Sequence, residues 1–549
     1  MLPRPALLAL PALLLAPLAG LAAPAHAAAS TDHDRWLEPA PLVPLDEPVY
    51  GYHRDPAVAT NARGDSVAVY VVDPPSDGVP TGEVRLTRRP AGGTWSYPVE
   101  VSGGRDYGTD GVAVGIDAAG RALVAWSRPA SRFNPVNDEV LVRTVAADGT
   151  LGVTRRLSAD RAEGTDPAVA VAPGGRAVVT WLDGGDVRAA TGTTAGLGTP
   201  VTVAEGAGGQ SSPTVAIAPT GDAVLAWDAA GAGADAGRVV RSCTWAAAAG
   251  GCGPVADVDG GTSSASALDP AVAVGDGGDA VLCYGLDAEV DGLRYAVRPG
   301  GGDWSTPAEV TAAAPPALGS CQVALRPDDA LVVGHADRDG RTYVAVRGDV
   351  VDGPRGPVGA GRRLNGPDDG FRGFSLDAGR AGDVAVVVSG RSRLLATTVP
   401  RTARQATAVQ RLEFPEPGSG YGATLAAVGV DGQGNAYGPA VNDSCPVTYC
   451  ANPQWRPWTI TLDAAAPALE GVAGPRAATV GDVVRLRAVG VRDLASAVTA
   501  TWRFSDGSTR TGTSVSKVVR QPGRLVARLQ LVDAAGHRTV QQVVVTVTR

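Results

Sequence analysis

Three Asp-Pro pairs, Asp55-Pro56, Asp166-Pro167 and Asp269-Pro270, stand immediately ahead of short Val/Ala runs; Asp110 lies nearby in a second copy of the run and Ser212 is equivalent in a fourth. Carboxylates and hydroxyls at one repeated position can hold a cation or the hydroxyls of a sugar, provided the fold brings them together. The competing role is local, because Asp and Ser ahead of a turn often bond the backbone at a strand entrance, and recurrence in every copy is also what a structural role predicts. His53, between Tyr52 and Arg54, joins them as a candidate, weighed against a solvated loop residue. Other chemistry finds no support. His33, His53, His335 and His537 are too dispersed for a zinc-protease helix or a His-rich zinc site. No G-x-S-x-G elbow, phosphate-binding loop or dinucleotide fingerprint is present. The stretch DVDGG, Asp257 to Gly261, lacks the full ligand series of a calcium loop. The expectation is therefore no cofactor and no metal, with calcium the one ion left open.

The candidate carboxylates belong to a repeated unit. A hairpin returns with its turn at Gly64, Gly120, Gly175, Gly221, Gly278, Asp328, Gly382 and Gly434, in steps of 46 to 57 residues. Gly supplies the positive φ that a tight turn between strands requires, and Asp tolerates it. Six positions later stand Tyr70, Trp126, Trp181, Trp227 and Tyr284, then Gly334, Val388 and Ala440. Their shared parity puts them on one face of the outgoing strand, where a ring can fill the space against the next sheet. In the first copy two more strands follow, EVRLTRR and, after the turn PAGG, a strand within TWSYPVEVS.

Four short strands per step of about fifty residues is the size of a β-propeller blade. The fold class is thus all-β: a propeller of about eight, alternatively seven, four-stranded blades, followed by a β-sandwich. After the eighth hairpin only one further strand, WTITLDA, precedes a linker, so the last blade lacks its outer strand. The segment LEPAPLVPLDEPV near the start of the chain is expected to supply it and close the ring. On such a ring Asp55, Asp110, Asp166, Ser212 and Asp269 would converge on one acidic mouth.

Residues 1–27 read as an export signal, with Arg4, a Leu/Ala-rich core and the small-x-small site Ala25-His26-Ala27. A secreted protein without membrane insertion is expected, with the propeller over 36–463, a linker over 464–472 and the sandwich over 473–549. The cysteines fall into near neighbours, Cys243 with Cys252, Cys283 with Cys321 and Cys445 with Cys450, which in an exported chain points to disulfides. A formal charge of −8 argues against nucleic acid and anionic membrane as partners. Lys517 is the single lysine.

Two resemblances sharpen the picture. The stretch RRPAGGTW shares Gly92, Thr94 and Trp95 with the sialidase Asp-box, but Arg88 and Pro90 stand at its Ser and Asp. It resembles a degenerate blade of that kind and implies no activity. The C-terminal 80 residues resemble the PKD type of immunoglobulin-like domain through Trp502, Phe504, Asp506 and Gly507 in WRFSDG, Pro522-Gly523, and Asp533 with Gly536; Arg503 and Ser505 depart from the pattern. The resemblance implies an extracellular spacer or adhesion module, with Asp506 capping a turn rather than holding a cation. The leading functional expectation is a monomeric, non-enzymatic binder of extracellular glycan or protein. Its rivals are a glycan-acting hydrolase or lyase with an acidic site at the mouth, and a structural envelope component.

Overall fold

The computed structural model describes residues 35–549 apart from 45–51, 74–80, 104–105, 108, 132–133, 160–163, 208–212, 232–236, 260–265, 288–291, 311–320, 338, 349–356, 360, 367–368, 370, 391–392, 415–423 and 445–453. The expected export signal and the Cys445/Cys450 pair lie outside these residues.

Among the described residues eight antiparallel sheets follow one another from residue 52 to residue 463. In the first, Tyr52–Thr60 is innermost, then Ser66–Asp73, Thr81–Arg89 and Val99–Glu100. A separate apolar cluster fills the space between each consecutive pair of these sheets, such as Leu123, Ala125 and Val142 of the second against Val179 and Trp181 of the third. Each sheet has two apolar faces, so only a neighbour on each side removes both from water.

The eighth sheet completes the circle with residues from the start of the chain. Beyond its third strand, Gln454–Asp463, lie Arg35–Trp36 and Ala40–Pro41, with Trp36 opposite Leu462 and Ala40 opposite Thr459. The Gln410 side chain of the seventh sheet donates to the Trp36 carbonyl at 2.7 Å and accepts its N–H at 3.1 Å. On the other side of the seam the Gly432 N–H donates to the Ala62 carbonyl at 3.1 Å. Arg89, 4% exposed, donates to the Gly64 carbonyl and stacks 3.9 Å over the Tyr437 ring of the eighth sheet.

The turns account for the glycines: Gly64, Gly120, Gly175, Gly221, Gly278, Gly382 and Gly434 all have positive φ. The sixth copy requires a correction. The residue with φ 56° whose N–H closes the turn is Asp329, not Asp328. Counting six from Asp329 places His335, rather than Gly334, at the aromatic position, where it is fully buried and stacked 5.2 Å from Tyr343. The run RPDDA carries two adjacent aspartates, and only the backbone geometry distinguishes them.

Among the described residues two disulfides form. Cys243–Cys252 closes a local loop, and Cys283–Cys321 joins the fifth sheet to the segment entering the sixth.

The C-terminal sandwich packs a three-stranded sheet, Gly471–Ala473, Val483–Val489 and Ser514–Val518, on a five-stranded one that includes Thr499–Phe504, Gly523–Val532 and Arg538–Thr548. Trp502 and Phe504 sit in its core. The expected linker over 464–472 is shorter than read, because Ala468 already bridges to Arg492 and Gly471 begins an edge strand too short to show alternation. Asp506 caps its turn as expected: it accepts the Ser508 N–H and hydroxyl and pairs with Lys517, contacts that hold its carboxyl well below the usual range.

Candidate functional site

The Asp-Pro pairs turn out to share one geometry. In the first sheet Arg54 pairs with Val71 and Ala57 with Val69, so Asp55 and Pro56 together face the single residue Tyr70. The third sheet sets Asp166-Pro167 against Trp181 in the same way, and the fifth sets Asp269-Pro270 against Tyr284. Each is a two-against-one bulge opposite the aromatic position. The bulge suits both residues: Asp55 and Asp269 have φ of 50° and 51°, which Asp tolerates, and Pro has no N–H to lose from the ladder. In the second sheet Gly111, φ 61°, is the extra residue between Asp110 and Val112. The side chains of Asp110 and Asp166, and Ser212 altogether, lie outside the described residues.

The contacts of Asp55 are structural. Asp55 is exposed and accepts from Arg54 at 2.5 Å. Arg54 also binds Asp73 at 2.9 Å and donates to the Thr109 carbonyl, lacing the first sheet to the entrance of the second. Asp269 is half-buried. His53 is not the solvated residue of the alternative reading. It is 2% exposed, its ring tilted 5.5 Å from that of Tyr70. Asp257 and Asp259 are also engaged, Asp257 with Arg241 at 2.8 Å and Asp259 with the Tyr284 hydroxyl at 2.7 Å and Arg294 at 3.2 Å.

At the opposite end of the inner strands, where the hairpin turns converge, lies an axial cavity of about 390 Å³ to which all eight sheets contribute. Its wall is aliphatic: Ile116, Val171, Ile217, Val274, Leu325 and Val430. Its polar groups are Thr60, Asn61, Asp276, Asp377 and Arg380, with Asp276 and Arg380 exposed at the rim. The Asn61 side chain is committed to its own turn, accepting the N–H groups of Arg63 and Asp65 and donating to Asp65 and to the Asp117 carbonyl. Asp377 accepts the Val430 N–H at 2.7 Å; burial pushes its carboxyl up to about 6 even though backbone N–H bonds pull the other way. Sequence reasoning missed this mouth because nothing in the run SLDAGR distinguishes it from a turn.

The sandwich docks on the turn side. The Leu494 side chain lies against Gly64, the Asp493 carbonyl approaches Gly92, and Arg89 donates to the Leu494 carbonyl. Ser496 donates to Asp463 at 2.6 Å. Among the described residues one group has the donors and spacing to hold a metal ion, Asp463 with Asp533 and His537, at this junction. No helix among the described residues is long and apolar enough to cross a membrane.

Residues 464–547 match the model of the PKD domain family. Among solved structures the chain is similar to the Dos1 propeller, with 8% identity and a TM-score of 0.44 over 75% of this chain and 94% of that one. It is also similar to the BP39L lectin from Burkholderia pseudomallei, with 13% identity and a TM-score of 0.43 over 67% and 100% of the two chains. A third likeness is to a Penicillium chrysogenum alpha-L-arabinanase complexed with arabinobiose, with 11% identity and a TM-score of 0.32 over 68% and 98%. No curated protein matches the sequence. The closed succession of sheets and the matched C-terminal segment make the chain a β-propeller followed by a PKD domain.

Proposed function

We propose that the protein is an exported, monomeric, non-enzymatic binding protein whose propeller takes an extracellular glycan or protein at an axial mouth, with the PKD domain as spacer or attachment module. The observation that carries this reading is that a carboxylate at each mouth is already engaged within the fold. Asp55 is bound to Arg54 and Asp377 to a backbone N–H. Acid–base glycoside cleavage needs two available carboxyls roughly 5 to 10 Å apart, whereas a binding face needs only fixed acceptors beside apolar wall. The aliphatic lining of the axial cavity, with Thr60, Asp276 and Arg380 among it, supports a polyhydroxylated ligand. Two disulfides fit an oxidising compartment.

The test is a glycan array and an extracellular-protein binding screen run beside a fluorogenic glycoside panel on the full chain, with light scattering for mass. Binding without turnover is expected. Asp55→Asn with Asp269→Asn keeps residues that tolerate positive φ while removing charge at one mouth; Asp276→Ser with Arg380→Ala does so at the other. Loss in one pair identifies the end that binds. Glycoside turnover abolished by either pair overturns the non-enzymatic reading, and absence of any ligand leaves the structural envelope role.

A further inference from the structure

The junction between propeller and PKD domain buries two carboxyl groups beside a single histidine. Asp463 ends the third strand of the closing sheet, while Asp533 and His537 flank the turn between the last two strands of the sandwich. All three are buried, at 0%, 7% and 6% exposure. Each carboxylate has one oxygen fixed and the other turned elsewhere. Asp463 Oδ2 accepts the Ser496 hydroxyl, and Asp533 Oδ1 accepts the N–H groups of Gly536 and His537. Asp533 Oδ2 lies 3.0 Å from His537 Nδ1, and Asp463 Oδ1 lies 3.7 Å from the same nitrogen. Asp463 Oδ1 is buried without a hydrogen-bond partner, and so is Asp493 Oδ2, whose other oxygen accepts the N–H groups of Ala495 and Ser496.

We propose that Asp463 Oδ1, Asp533 Oδ2 and His537 Nδ1 bind a divalent first-row cation, zinc by its ligand set, which clamps the PKD domain to the last propeller sheet. The three donors lie within 4.8 Å of one another. Zinc bonds of about 2.0–2.2 Å to N and O place tetrahedral ligands roughly 3.3–3.6 Å apart, between the two separations observed. Calcium takes six to eight oxygens at longer distance and does not favour imidazole. The fourth position is left to solvent. The hydrogen bonds on the outer oxygens supply the orientation that metal carboxylates need from their surroundings, with Ser496 held in turn by the Ala534 N–H. The ion offsets the mutual repulsion of the aspartates, and its ligands come from both domains.

The test uses the untagged full chain stripped with chelator and then titrated with zinc, calcium or cobalt, with metal content measured by mass spectrometry. One zinc per chain is expected, with tetrahedral cobalt absorption, a higher Tm on zinc addition and slower proteolysis at residues 464–470. Asp463→Asn and His537→Gln are the variants, because Asp533 also caps its turn and its loss could unfold the sandwich. Both should keep the β-sheet circular dichroism and bind zinc at least ~10-fold more weakly, and Ser496→Ala about 10-fold more weakly. Substoichiometric zinc in the wild type, variants that bind as it does, or calcium matching zinc each overturns the assignment.

Discussion

Asp377 offers a stability test whose sign is set by its surroundings. Its carboxyl is raised from 3.8 to about 6 by burial at the axial cavity. Below pH 3.8 it is protonated in folded and unfolded chains alike and costs nothing; through the window from 3.8 to 6 the unfolded chain ionises first; above 6 both are ionised and the full penalty stands. At 1.36 kcal/mol per pH unit this penalty is about 3 kcal/mol. Asp377 is half-buried and lines an open cavity, so solvent screening reduces it to roughly half. Asp377→Asn keeps an oxygen to accept the Val430 N–H and removes the charge. The variant should therefore be more stable than wild type by ~1.5 kcal/mol at pH 7.5 and equal to it near pH 3.5. In a ring of this size that is a rise in Tm of about 1–2 °C, read by scanning calorimetry at both pH values. A variant that is less stable at pH 7.5, or whose difference does not change with pH, would refute burial as the dominant influence on this carboxyl.

Arg89→Met keeps the bulk of the side chain but leaves the Gly64 and Leu494 carbonyls without their guanidinium donors and removes the cation over Tyr437. A loss of about 2–4 kcal/mol is expected, seen as a lower denaturation midpoint and faster proteolysis between the domains. Replacing Cys283 and Cys321 by Ser frees a span of 38 residues and should cost about 4 kcal/mol, against about 2.5 for Cys243 and Cys252 with a span of 9. Equal effects in parallel denaturant titrations would show that loop length does not govern these bridges.

The features legible in the chain were those carried by local stereochemistry. Positive φ at a hairpin turn demands Gly or a tolerant Asp, so the turns and their period announce themselves. Alternation in the strands exposes the aromatic position, and Trp502 with Phe504 announces the sandwich core. The Asp-Pro pairs were visible as a pattern, yet their place opposite the aromatic ring was not drawn from it. An offset of nine residues before the turn glycine and six after contains that relation, because the strand ladder pairs them across the bulge.

Sequence alone therefore determined the unit: its length, its turns, its apolar face and the family of its last domain. The tertiary structure decided which groups meet across long stretches of chain. Arg89 lies over Tyr437, Gln410 holds Trp36, and Asp463 faces His537, pairs in which no member constrains the other's position in the chain. The reason is physical: φ and strand alternation act between near neighbours, whereas a buried charge or an axial cavity exists only once separate sheets have packed and excluded water.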